Sequence, residues 1–162
     1  MLSTDAEVVL STSSASTKTA QIRVLLVNPP SPDGQIYIRD VNRSGRVSRE
    51  STIWPQTSLA LVAAVLDEAG CAGKIEDCIA ERTDYQTLYR RMQAWNPTHV
   101  IIESVSCTIP HDMVVAHYAK YLGAVTILIS PHGEALEAET RKRFPTIDYV
   151  VHYEKQEEPE YA

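Results

Sequence analysis

The stretch that decides the fold is Ile22-Arg23-Val24-Leu25-Leu26-Val27-Asn28-Pro29-Pro30. From residue 22 to residue 27 it is almost entirely apolar and rich in β-branched side chains, without polar alternation, which is typical of a strand buried on both faces of a parallel sheet. The two prolines have no backbone N–H to donate to a neighbouring strand, so they end it. A buried parallel strand requires further strands beside it and helices between them.

The residues after this strand alternate between helical and extended patterns. Apolar residues recur at intervals of three and four between 59 and 66 and are followed by Gly70, which indicates a first helix. Asp84 caps a second helix, which Asn96-Pro97 ends. Two more helices are predicted over 112–122 and 134–144, and four more strands over 74–77, 99–103, 125–129 and 149–151. Five strands joined by four helices predict a three-layer, flavodoxin-like (Rossmann-like) α/β domain whose five-stranded parallel sheet has the order 2-1-3-4-5.

Length, charge and cysteine content restrict the class of protein. The 162 residues suit one domain, with residues 1–21, rich in Ser, Thr and Ala, predicted to be a flexible N-terminal tail. A net charge of -6 argues against nucleic acid as a partner. Since the chain has neither an apolar run of ~18 residues nor a secretory signal, we predict a cytoplasmic protein without a membrane partner. The three cysteines lack C-x-x-C spacing, so no protein metal ligands are predicted.

The predicted sheet concentrates candidate functional residues at one edge. In such sheets ligands bind outside the carboxyl ends of the strands. That rule selects the loops 28–54, 104–110, 130–134 and 152–154. Neither G-x-G-x-x-G nor G-x-x-x-x-G-K-[ST] occurs, so the corresponding nucleotide-phosphate loops are excluded. A phosphorelay receiver is also excluded, because Asn28, Ser104 and His152 stand where its two aspartate positions and its lysine would be.

The motifs at these strand ends resemble those of a known family. Val24 to Pro30, Trp54-Pro55-Gln56-Thr57-Ser58-Leu59-Ala60, Asp67-Glu68-Ala69-Gly70, Ile102 to Ser106, Ser130-Pro131-His132-Gly133 and Asp148 to Val151 occur in that order. As a set they are similar to the cobalamin-binding N-terminal domains of cobalamin-dependent radical S-adenosylmethionine enzymes. The resemblance covers the chain from about Ile22 onward and implies that residues 22–154 form a cobalamin-binding α/β domain.

The resemblance implies a set of cofactor-binding residues and no catalytic ones. Small residues such as Ser104, Ser106 and Gly133 would let the nucleotide tail of cobalamin approach the backbone, and their hydroxyls and amides could bond the tail and the corrin amides. Tyr37 or Trp54 could pack against the corrin or belong to the core. The full predicted set is Asn28, Pro29, Pro30, Tyr37, Trp54, Ser104, Val105, Ser106, Ser130, Pro131, His132, Gly133 and His152.

The same resemblance separates what this chain would do from what a second domain would do. The loop 28–54 contains no histidine, so no protein imidazole from this loop is expected below the cobalt. S-adenosylmethionine and a [4Fe–4S] cluster are expected only in a missing C-terminal radical domain, since the chain has no C-x-x-x-C-x-x-C triplet. Residues 155–162 would begin the linker to it. Members of that family usually have Gly-Glu-Pro-Glu soon after the fifth strand. This chain has Glu157-Glu158-Pro159-Glu160 instead, so the glycine is missing. The chain alone would not be a complete methyltransferase-like or related enzyme.

Two other interpretations stay open. The loop after the first strand carries four arginines, Arg39, Arg43, Arg46 and Arg49, which are either solvated or face a phosphate or carboxylate. If this loop fills the edge of the sheet, the chain is an α/β interaction domain without cobalamin. If its arginines converge on one point, a small-anion-sensing domain is favoured.

Overall fold

Strands and helices alternate along most of the described chain, which comprises residues 21–39, 46–130 and 137–152 of a computed structural model. The strands are β1 (Arg23–Asn28), β2 (Tyr37–Ile38), β3 (Arg46–Val47), β4 (Ala72–Asp77), β5 (His99–Glu103), β6 (Val125–Ser130) and β7 (Tyr149–His152). The helices are α1 (Thr57–Glu68), α2 (Tyr85–Trp95), α3 (Ile109–Tyr121) and α4 (Glu137–Arg143). Within these ranges, no helix combines the length and the apolar character that crossing a membrane would need.

Five of the strands form one parallel sheet in the order β4-β1-β5-β6-β7. Counting only these five strands, the order is the predicted 2-1-3-4-5, with β1 between β4 and β5. Val24 lies beside His99 and Leu25 beside Val100 in a parallel register. The three-layer α/β prediction is therefore confirmed, and the carboxyl ends of all five strands meet at one edge of the sheet.

The two faces of the sheet bury separate apolar clusters. On one face, Leu25, Val100 and Leu128 pack with Leu88 of α2 and Val115 of α3. On the other face, Leu26 and Ile101 pack with Leu59 of α1. Because β1 and β5 are buried on both faces, they lack the polar alternation of a half-exposed strand.

The predicted helix boundaries agree with the structure except at α3. Asp84 caps α2 by accepting a hydrogen bond from the backbone N–H of Thr87 at 2.7 Å, and Asn96 ends it in the left-handed conformation. The predicted start of α3 at residue 112 is wrong, since the helix begins at Ile109. Pro110 fits there because a residue in the first turn of a helix needs no backbone N–H partner.

The loop after β1 contains two strands that the sequence did not predict. β2 and β3 pair antiparallel, with Tyr37 beside Val47 and Ile38 beside Arg46. Each has two residues, which is too short to show a period in the sequence. The predicted N-terminal tail falls almost wholly on residues 1–20, which lie outside the described ranges, as do residues 134–136 of the predicted fourth helix.

Replacing Leu88 by alanine tests the core between the sheet and α2. Leu88 is fully buried, whereas Leu61 on α1 is 66% exposed. Leu88→Ala should lower the free energy of unfolding by about 2–5 kcal/mol, because it removes buried apolar surface and leaves a cavity. The matched change Leu61→Ala should alter it by less than about 0.5 kcal/mol. Urea denaturation measures both, and equal losses would contradict this packing.

Candidate functional site

The structure brings the ends of four predicted motifs to one edge of the sheet. Asn28 ends β1, Ser104 and Val105 follow β5, and Ser130 and His152 are register partners at the ends of β6 and β7. Only the backbone of the last two is described. Pro131, His132 and Gly133 lie outside the described residues. The edge thus collects positions that are up to 124 residues apart in the sequence.

A fully buried arginine lies at this edge between β1 and the start of α3. The Arg39 side chain is 0% exposed. Its guanidinium donates to Asn28 Oδ1 at 3.1 Å and to the carbonyl oxygen of Pro29 at 2.9 Å. It also forms a two-pronged ion pair with Asp112, at 2.8 Å to Oδ1 and 3.2 Å to Oδ2. This geometry matches the planar fork of a guanidinium to the two oxygens of a carboxylate.

Asp112 is held by further donors from its own loop and helix. Its Oδ2 accepts hydrogen bonds from the hydroxyls of Ser104 at 2.7 Å and Thr108 at 2.6 Å. Burial raises the pKa of the Asp112 carboxyl above its ordinary value, while the charge of Arg39 and these hydroxyl hydrogen bonds oppose the rise. The carboxylate also lies in the first turn of α3, where the helix dipole favours negative charge. The network ties the loop after β1 to the loop after β5.

The network shows what the described arginines of the loop after β1 do. Arg39 was predicted either to be solvated or to face a phosphate or carboxylate ligand. Neither prediction holds for it, because it is buried and its partner is Asp112, an aspartate of the protein itself 73 residues away. Arg46 forms an exposed ion pair with Glu50, and Arg49 is exposed. Arg43 lies outside the described residues. The described arginines therefore do not converge on one point.

The predicted cofactor-binding residues differ in how accessible they are. Asn28 is fully buried, with its amide nitrogen donating to Asp77 at 2.8 Å, and the Ser104 hydroxyl donates to Asp112. Val105 is also buried, and its carbonyl accepts from the backbone of Thr108. Ser106, by contrast, is exposed. Its exposed neighbours in the loop and the first turn of α3 are Cys107, Pro110 and His111.

The two candidate aromatic residues both lie in the loop after β1. Tyr37 is half-buried, its hydroxyl donates to Asp33 at 3.0 Å, and its ring lies 5.7 Å from the guanidinium carbon of Arg39. Burial and the neighbouring Asp33 raise the pKa of this tyrosine. Trp54 is half-buried as well. Tyr37 therefore adds a cation–π contact to the arginine that the sequence did not reveal.

A cavity of about 470 Å³ opens on the opposite side of β1 from β5. It is lined by the loop after β1, by Ile53 and by the loop between β4 and α2. Among the predicted cofactor-binding residues whose side chains the structure describes, none lines it. The length of the loop after β1 was the one sequence signal for it, since such long connections are usually functional or disordered.

Within the described ranges, no three His, Cys, Asp or Glu side chains are grouped as metal ligands. Cys71, Cys78 and Cys107 form no disulfide with one another. Comparison of the chain with protein-family models, curated proteins and solved structures finds no significant match. Functional inference for this chain rests on its residues and its fold.

Removing one partner of the buried ion pair tests the network. Asp112→Leu should lower the free energy of unfolding by about 3–5 kcal/mol, because it leaves the Arg39 guanidinium buried without a counter-charge. Arg39→Met should lower it by a similar amount, because it leaves the Asp112 carboxylate unpaired. The double variant Arg39→Met with Asp112→Leu should lose less than either single variant, since no charge is then buried unpaired. Urea denaturation of the two single variants and the double variant measures the coupling. Additive losses would show that the two side chains do not interact.

Proposed function

We propose that this chain is the cobalamin-binding module of a cobalamin-dependent radical S-adenosylmethionine enzyme, methyltransferase-like or related, and is not catalytically complete alone. One observation carries the proposal: three residues of the motifs that resemble that family, Asn28, Ser104 and Ser130, are far apart in the sequence but lie at the carboxyl ends of the neighbouring parallel strands β1, β5 and β6. Ligands of doubly wound sheets bind at this edge. Residues that only stabilise the fold would have no need to lie together at the carboxyl edge of the sheet.

The two sides of the edge differ in how well they fit cobalamin. The gap between β1 and β5 does not fit the nucleotide tail, because Arg39 occupies it and uses the polar groups of Asn28 and Asp112. The loop between β5 and α3 fits better, since it presents Ser106 to solvent over a buried base. We therefore expect cobalamin to approach the edge over this loop, towards β6 and away from β1.

Among the described residues of the predicted set, Ser106 would be the main side-chain contact of the cofactor. Its hydroxyl could donate to or accept from the tail or a corrin amide. Ser104 would not contact the cofactor. Its hydroxyl donates to Asp112, and this hydrogen bond positions the loop that carries Ser106. Cobalamin, when bound, supplies a cobalt centre that can carry a methyl group in methyl transfer.

The C-terminal radical domain remains part of the proposal, with S-adenosylmethionine and the [4Fe–4S] cluster confined to it. One face of the sheet leaves room for a partner. Tyr149 and Val151 of β7 are 60% and 47% exposed and lie beside Ile127 and Ile129, which belong to the cluster under α1. Leu61 and Val65 expose an apolar stripe on α1 itself. A partner domain could cover these side chains.

A second candidate function follows from Arg39. Arg39 fills the gap between β1 and β5, which is the usual ligand position in such sheets. A protein side chain in that position favours an α/β interaction domain that does not bind cobalamin. Such a domain would act through the exposed side chains of α1 and β7. The small-anion-sensing alternative loses support, since the described arginines do not converge.

Titration with hydroxocobalamin separates these two functions. Binding should change the visible spectrum and raise the melting temperature, by an amount equivalent to about 2.7 kcal/mol when the free ligand is at 100 times its Kd. Ser106→Leu should weaken binding about tenfold and change the melting temperature of the free protein less than a change at buried Ser104 does, because Ser106 is exposed.

The matched control for Ser106→Leu is Ser104→Leu. This change should lower the melting temperature of the free protein, because the side chain is buried and its hydroxyl serves Asp112. Absence of any spectral or thermal change with the unmodified chain would overturn the cobalamin proposal and favour the interaction domain.

Electron paramagnetic resonance of bound cob(II)alamin tests the ligand below the cobalt. The loop 28–54 holds no histidine, His99 begins β5 at the opposite edge, and His117 bonds the Met113 carbonyl on α3. His111 is exposed in the first turn of α3, beside the proposed cobalamin position. We expect cobalt lines without the triplet splitting that an imidazole nitrogen causes. Triplets would mean that a nitrogen from His111, from a different histidine or from the tail base reaches the metal, and loss of the triplets in His111→Ala would identify His111 as its source.

A further inference from the structure

The cavity beside β1 has the size and lining of a small-molecule site. Its volume of about 470 Å³ lies within the roughly 300–1,000 Å³ of typical ligand sites. Such sites combine apolar walls with a few polar groups that orient the ligand. A corrin ring with its amide arms and nucleotide tail is too large for this volume, so the cavity is separate from the proposed cobalamin position.

Three isoleucines and Cys78 supply the apolar side chains that line the cavity, beside polar residues from both loops. Ile79 is buried, Ile36 is half-buried, and Ile53 is 38% exposed although it lines the cavity. Cys78 also lines it, but burial raises the pKa of this thiol far above its ordinary value, so it contributes an apolar surface and no nucleophile. A ligand with an apolar body would remove these side chains from water.

Arg82 supplies a cation among the lining residues of the cavity. Its side chain is exposed and forms no hydrogen bond or ion pair within the part of the chain that the structure describes, unlike Arg91, which pairs with Glu76 and Glu81. Asp84, the acidic residue that lines the cavity, accepts a hydrogen bond from the backbone N–H of Thr87 as the cap of α2. The cation of Arg82 is therefore available to an incoming anion.

The backbone at Arg82 strengthens this assignment. Arg82 has a φ of 52°, in the left-handed region that favours glycine. Its N–H bonds the Ile79 carbonyl, and the Thr83 N–H bonds the Cys78 carbonyl, as in the turn that commonly ends helices with glycine at this position. An arginine here is conformationally costly, and strain of this kind tends to accumulate at functional sites.

We propose that this cavity binds a small organic anion, with its apolar body against Ile36, Ile53 and Ile79 and its carboxylate, sulfonate or similar group paired with Arg82. The site is distinct from the cobalamin position, which lies on the other side of β1. An anion without an apolar body would gain only the exposed contact with Arg82, which is weak in water. The preferred class is therefore aryl or short-chain alkyl carboxylates.

Fluorescence titration with anilinonaphthalene sulfonate, which joins an aromatic body to one anionic group, tests the site on the whole chain without cobalamin. The dye should bind, and Arg82→Gly should weaken binding by up to about fivefold, as expected for an exposed ion pair. The same change should raise the melting temperature, because glycine accepts the left-handed conformation. Arg82→Lys should retain most of the affinity because it keeps the charge. Arg90→Gln, which removes an exposed arginine of α2 outside the cavity, should leave binding unchanged.

Two further arms locate the dye and define the ligand class. Leu61→Ser with Val65→Ser removes the exposed apolar stripe of α1 and should not change binding, whereas Ile53→Asp should abolish it. Benzoate and hexanoate should displace the dye at concentrations at which inorganic phosphate does not. The proposal is overturned if the dye does not bind, if Arg82→Gly binds as well as the unmodified chain, or if the α1 changes abolish binding. Equal displacement by phosphate would overturn the apolar part of the assignment.

Discussion

The ion pair between Arg39 and Asp112 joins the loop after β1 to the first turn of α3 at the carboxyl edge of the sheet. Both side chains are fully buried, and the pair is completed by Asn28, Ser104 and Thr108. Burial of an isolated charge costs several kcal/mol, so each partner is stable there only while the other is present. The position of the loop after β1 is therefore coupled to the position of the first turn of α3.

The pair also gives a physical reason for the Asn28-Pro29-Pro30 sequence at the end of β1. Two prolines offer carbonyl oxygens and no N–H groups. Arg39 takes advantage of that, since its guanidinium, which has donors only, bonds the carbonyls of Pro29 and Pro30 together with the Asn28 side-chain oxygen. In this chain the motif is an acceptor surface for an arginine. That role leaves the loop after β5, with Ser106, as the more open part of the edge.

The sequence predicted the central sheet because its strands are continuous apolar runs and its helices have a clear period and caps. β1 and β5 are buried on both faces, and Asp84 caps α2 as the pattern indicated. The Arg39–Asp112 pair could not be predicted, because a single arginine in a loop and a single aspartate in a helix, 73 residues apart, carry no signal that they meet. β2 and β3 were not predicted, because a strand of two residues is too short to show a periodic pattern in the sequence.

The site residues were predictable by position and not by exposure. The predicted strand ends placed Asn28, Ser104 and Ser106 at the carboxyl edge, where the structure has Asn28 and Ser104. Small size and polarity alone could not separate Ser106, which is exposed, from Ser104, whose hydroxyl donates to Asp112. The cavity beside β1 was missed because its isoleucines come from segments that have no common motif. Only the fold brings Ile36, Ile53 and Ile79 together.

Amide hydrogen exchange of the chain with and without hydroxocobalamin reports both whether cobalamin binds and where it binds. We predict slower exchange in residues 104–111, between β5 and the first turn of α3, with little change in α2. No change anywhere, or slower exchange confined to α1, would contradict a cobalamin site at the carboxyl edge of this sheet.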